Sequence, residues 1–60
     1  MTTKELVWLI VDGEQWEDMD KILGYEVPDD MRKDKIAEAL EEKFSSMSDR
    51  QLQRWINKYK

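Results

Sequence analysis

The chain is 60 residues long, has neither cysteine nor histidine, and carries a formal net charge of −4. Its length limits it to a single domain over residues 1–60 with a small core, and the missing residue types exclude disulfides, thiolate zinc sites and imidazole metal ligands. Its stability must therefore come from helix packing or from self-association.

The first predicted element is a helix over residues 3–12. Thr2 followed by Glu5 matches a capping box, and Gly13 stands where a glycine would end the helix. The apolar run "LVWLIV" is also typical of a strand. A strand would need a partner, however, and the polar "EQWE" that follows is a poor one, so we favour the helix.

As a helix, this segment would be apolar around most of its circumference. Leu6, Leu9 and Ile10 share one arc of the helical wheel, and we expect the core to cover that arc. Trp8 lies nearly opposite, where an exposed ring would mark an interface. We therefore predict a surface for a partner protein, or for a second copy of the chain, formed by Val7, Trp8 and Val11. The alternative is that the second and third helices enclose the first one on both sides.

The second predicted helix covers residues 14–23. Acidic residues crowd its first turns, where the helix dipole favours negative charge, and Gly24 follows its last residue. Trp16, Met19 and Leu23 recur at helical spacing, so we expect them to face the core.

The third predicted helix covers residues 28–44. Pro28 followed by Asp29 and Asp30 is typical of a helix start. The apolar residues Ile36 and Phe44 recur at helical spacing within it.

The fourth predicted helix covers residues 48–59, and Ser48 with Gln51 matches a second capping box. The chain therefore reads as an all-α domain, a small bundle of four short helices. Helical periodicity predicts one core that contains Leu23, Ile36, Leu40, Phe44, Leu52, Trp55 and Ile56.

The fourth segment also concentrates positive charge in an otherwise acidic chain. Residues 12–30 hold eight acids against Lys21 alone, whereas residues 48–60 hold four bases against Asp49 alone. The bases of residues 50, 54 and 58 lie opposite the apolar arc. They form either a solvated outer face, which we favour, or a row that contacts phosphates.

A local sequence resemblance supports the phosphate-contacting alternative. "KIAEAL" and "SDRQLQRWINKY" resemble the two helices of a helix-turn-helix, although the connection "EEKFSSMS" is longer than the turn of that motif. The resemblance implies a DNA-binding regulator that uses the helix from Ser48 to Tyr59. Its candidate nucleic-acid contacts are Arg50, Gln51, Gln53, Arg54 and Lys58.

Composition favours binding over catalysis. The chain has no histidine or cysteine, no glycine-rich phosphate cradle and no serine with an identifiable base, so we expect a non-catalytic protein without cofactor, metal or small-molecule substrate. The longest apolar run is too short for a signal peptide or a membrane span, and the lack of cysteine suits a reducing cytoplasm. We expect a cytoplasmic interaction module, a regulator or inhibitor of a partner protein.

Overall fold

Four α-helices and no strands make up the computed structural model, which describes all 60 residues. The helices are α1 (Thr3–Asp12), α2 (Trp16–Leu23), α3 (Lys33–Ser46) and α4 (Asp49–Tyr59). The predicted all-α class is confirmed, and the first segment is a helix rather than a strand.

Helix α1 begins and ends where the sequence predicts. The Glu5 amide donates to Thr2 Oγ1 at 3.1 Å, and the Thr2 amide donates to Glu5 Oε1 at 3.3 Å, which completes the capping box. Gly13 follows α1 but has a right-handed φ of −79°, whereas Glu14 takes the left-handed conformation with φ 52°. Gly13 is needed for space instead, because an added Cβ would lie 2.7 Å from the Leu9 carbonyl oxygen.

The joint between α2 and α3 differs from the prediction. Gly24 ends α2 in the left-handed conformation, as expected, but α3 begins at Lys33, so the predicted start at Pro28 is wrong. The Val27 side chain is buried and its amide donates to Asp20 Oδ1 at 3.0 Å, which fixes the chain against the core before Pro28. Pro28 then begins a turn, in which the Met31 amide donates to the Pro28 carbonyl.

The other predicted helix ends are close to those observed. Helix α2 begins at Trp16 rather than at residue 14, since the left-handed Glu14 belongs to the preceding turn. Helix α3 continues to Ser46, two residues beyond its predicted end. Ser48 caps α4 through the predicted capping box with Gln51.

The core is built by the first three helices and the α2–α3 connection. Its twelve buried apolar residues are Leu6, Val7, Ile10, Val11, Met19, Ile22, Leu23, Val27, Ile36, Ala37, Leu40 and Phe44. Helix α4 contributes none of them. The prediction of a shared core is confirmed for the residues of α2 and α3.

Four residues of α2 and α4 that the sequence predicts to lie in the core do not lie in it. Leu52, Trp55 and Ile56 are half-buried and pack against the core from outside, because α4 rests mainly on α1 and its apolar arc is covered on one side only. Trp16 stands at the first residue of α2 and is 38% exposed.

Candidate functional site

The buried face of α1 is one continuous arc. Leu6, Val7, Ile10 and Val11 are all fully buried, and at 100° per residue these positions span about 140° of the helix. The expectation that Val7 and Val11 lie on an open surface beside Trp8 is therefore wrong. Because α1 packs against all three other helices, it needs a broad apolar face, and the two valines extend that face.

The opposite face of α1 carries the apolar side chains of this helix that remain exposed. Leu9, which we expected in the core, is 46% exposed, and Trp8 is half-buried with part of its ring against the core. Glu5 and Asp12 lie on the same open, shallow groove. We call Glu5, Trp8, Leu9 and Asp12 the Trp8–Leu9 surface.

The outer face of α4 is exposed, but its polar side chains are not all free. Gln51 Oε1 accepts from the Ser48 amide at 3.3 Å, and Gln53 Nε2 donates to Asn57 Oδ1 at 2.9 Å. Arg50 and Arg54 are exposed and form no ion pair within the chain. Gln51 and Gln53, two of the candidate nucleic-acid-binding residues, thus form hydrogen bonds within α4 and its cap.

Lys58, the third base of the predicted phosphate row, points to another part of the chain. Its Nζ donates to Asp18 Oδ1 at 2.6 Å and lies 5.4 Å from the centroid of the Trp55 ring. The row of three free cations expected from the sequence is therefore reduced to Arg50 and Arg54.

The helix pair that resembles a helix-turn-helix is not packed as a pair. Helix α4 makes its main helix contact with α1, whereas α3 and α4 contact each other little. In a helix-turn-helix the first helix supports the recognition helix directly. Here that support comes from a helix at the other end of the sequence.

Asp18 is the buried polar residue that sequence reasoning missed. It is 4% exposed on α2, and Oδ1 and Oδ2 accept hydrogen bonds from Lys58 Nζ and from the Tyr59 hydroxyl, respectively. We call Asp18, Lys58 and Tyr59 the Asp18 cluster. A signal was present, because positions 18, 19, 22 and 23 repeat the spacing of the buried face of α1.

The two acidic groups of the Asp18 cluster shift each other's proton affinity. Burial on its own raises the pKa of Asp18, but the hydrogen bonds from Lys58 and Tyr59, together with the charges of Lys58 and Lys21, outweigh burial and hold the pKa below 3.8. Burial raises the pKa of Tyr59 above its ordinary value of 10.0, and the hydrogen bond to Asp18 and its negative charge raise it further. At neutral pH Asp18 is therefore ionised and Tyr59 keeps its proton.

No family model, curated protein or solved structure is significantly similar to this chain. No group of three or more acidic side chains is close enough together to hold a metal ion. None of the four helices combines the length and hydrophobicity that a membrane crossing requires.

Proposed function

We propose that this domain is a non-catalytic protein-binding module, a regulator or inhibitor that docks its partner on the Trp8–Leu9 surface. The observation that supports the proposal is the exposure of Leu9 on a helix whose other aliphatic side chains are fully buried. The ring of Trp8 lies beside it, partly buried against the core and partly open to the same groove. Aromatic and aliphatic side chains that are partly covered in this way are typical of binding surfaces.

The charges around the surface indicate the chemistry of the partner. Glu5 and Asp12 flank the apolar pair, and the whole chain has a net charge of −4. A partner segment with an apolar side chain flanked by lysine or arginine would complement them. Such a partner would be attracted over a distance, and its association rate would fall as salt is added.

Leu9→Ser tests the proposal with little risk to the fold, because Leu9 is outside the core. The immobilised domain is incubated with a native lysate, with and without nuclease treatment, and captured proteins are compared with those captured by Leu9→Ser. Tyr25→Ser is the matched control, since Tyr25 is 50% exposed and lies outside the Trp8–Leu9 surface. We expect Leu9→Ser to lose a captured protein that Tyr25→Ser retains.

Two outcomes would contradict the proposal. One is equal capture by the wild type and both variants, which would place binding elsewhere on the molecule. The other is capture that disappears entirely on nuclease treatment, which would support the nucleic-acid alternative on α4. Sedimentation of the wild type and Leu9→Ser over a range of concentrations would show whether the partner is a second copy.

A further inference from the structure

We propose that α4 is a releasable strap on a three-helix core, and that the Asp18 cluster is the lock that holds its C-terminal end. In the closed form, α4 lies on α1 and covers part of the apolar surface of the domain. In the open form, α4 leaves as a unit while α1, α2 and α3 remain packed.

The distribution of buried residues gives the first support. All twelve buried apolar side chains lie between Leu6 and Phe44, and none lies on α4. Segments with few buried contacts open at a lower free energy than the core, and they open as cooperative units. The apolar residues of α4 are only partly buried, and α4 is the one helix without a buried residue.

The joint between α3 and α4 gives the second support. Met47 and Ser48 have extended backbones, with ψ of 153° and 157°, and they form the whole connection. Since α3 and α4 contact each other little, rotation about these two residues would separate α4 from α1 without breaking α3. The capping box of Ser48 lies within α4 and its cap, so it moves with the strap.

The Asp18 cluster gives the third support, because it is the polar link between the strap and the core. The hydrogen bonds from Lys58 and Tyr59 to Asp18 are the side-chain hydrogen bonds that join α4 to the first three helices. The charged and titratable groups that face Asp18 are Lys58 and Tyr59 from α4 and Lys21 from α2 itself. Asp18 accepts these two hydrogen bonds, one of them from a charged ammonium group, only while α4 is in place, so a closed strap and a charged Asp18 favour each other.

Hydrogen exchange measured by mass spectrometry on the full chain tests this proposal. Asp18→Asn removes the charge, and Glu17→Gln is the matched control because Glu17 is the exposed neighbouring acid on α2. We expect Asp18→Asn to raise exchange across Asp49–Tyr59 by roughly tenfold or more, as loss of a charged hydrogen bond implies. In the wild type, the amides of α4 should already exchange faster than the protected amides of α1 and α3, because the strap opens without the core. Glu17→Gln should leave all helices unchanged.

The pattern along the chain decides the outcome. Equal protection of the slowest amides in α4, α1 and α3 of the wild type would show that α4 unfolds only with the whole domain. Unchanged exchange of α4 in Asp18→Asn would show that the cluster does not hold it, and either result overturns the proposal. If Asp18→Asn does not fold, Tyr59→Phe decides by the same pattern, because it removes one hydroxyl group. Lys58→Met compared with Lys60→Met is a second matched pair, since Lys58 lies in the last turn of α4 and Lys60 directly follows the helix.

Discussion

The carboxylate of Asp18 lies on the buried face of α2, where its neighbours have apolar side chains. Met19, Ile22 and Leu23 are buried around it, so the carboxylate loses most of its hydration on folding. Lys58 and Tyr59 replace that hydration with two hydrogen bonds. The stability of the domain therefore depends on the protonation of this one residue and its tyrosine partner.

The first prediction at this scale is a loss of stability at both ends of the pH range. Because the pKa of Asp18 is lower in the folded chain, its contribution is present at neutral pH and is lost as the pH falls below 3.8. Because the pKa of Tyr59 is raised, its contribution is present below 10.0 and is lost as the pH rises beyond its folded value.

Urea unfolding followed by tryptophan fluorescence over a range of pH would check both limbs. In Asp18→Asn the stability difference from the wild type should shrink as the solution is made acidic. In Tyr59→Phe the difference should shrink as the solution is made alkaline. If the free energy of unfolding varies with pH in the same way in the wild type and both variants, other groups control the pH dependence.

Truncation of Leu40 and of Trp55 should have unequal effects, although sequence periodicity places both in the core. Leu40 is fully buried, so Leu40→Ala should lower the free energy of unfolding by about 2–5 kcal/mol. Trp55 is half-buried on α4, and Trp55→Ala should cost less despite removing a larger side chain. Chemical denaturation of the two variants would measure this, and a greater loss for Trp55→Ala would place α4 in the core.

At the scale of helices, α1 and α4 have the same N-terminal capping box but pack against different numbers of helices. Thr2 caps α1, which packs against all three other helices, whereas Ser48 caps α4, which rests mainly on α1. Thr2→Ala and Ser48→Ala should each cost about 1 kcal/mol of helix stability.

The two cap variants should nevertheless differ in where the loss is seen. Ser48→Ala should increase hydrogen exchange most in the first turn of α4, where the lost cap lets the helix end fray, and Thr2→Ala should do so in the first turn of α1. Amide exchange resolved by residue would measure both. The prediction fails if Ser48→Ala increases exchange in the first turn of α4 no more than in α1 and α3.

Helix types and most helix ends could be predicted from local sequence because capping and periodicity are local. The predicted start of α3 failed at Pro28 because a tertiary contact, the hydrogen bond from the Val27 amide to Asp20, overrides the local start signal. The burial of α4 could not be predicted either. An amphipathic arc shows which face packs but not how much of that face its neighbours cover.

The candidate site was predicted only in part for a related reason. The exposure of the Trp8 side of α1 follows from the wheel, but the choice between Leu9 and the two valines depends on how many helices surround α1. The role of Lys58 depends on Asp18, which is 40 residues away in the sequence. Spacing along one helix cannot reveal such a pairing.

At the scale of the whole molecule, charge separates an acidic region at residues 12–30 from a basic end at residues 48–60. The Asp18 cluster ties these two regions together and neutralises part of the basic end. Long-range electrostatics should therefore favour cationic protein partners over nucleic acid, because the net charge of −4 repels phosphate.

We accordingly predict no sequence-selective DNA binding at physiological salt. With Arg50 and Arg54 as the remaining free bases of the row, any contact with phosphates should be weak and should have a shallow salt dependence, of about 0.9 in log–log slope per neutralised phosphate. Fluorescence titration with random and selected duplexes would measure it. Tight, selective binding that Arg54→Glu abolishes without loss of helix content would establish the DNA-binding alternative.

The bridge between Asp18 and Lys58 also has a consequence for folding kinetics. Because α4 adds no buried residue to the core of the first three helices, the bridge should form late, after the folding transition state. Interactions that are absent from the transition state slow unfolding without speeding folding. Loss of the bridge should therefore leave the folding rate unchanged and increase the unfolding rate. The native state would form as fast as before but would have a shorter lifetime.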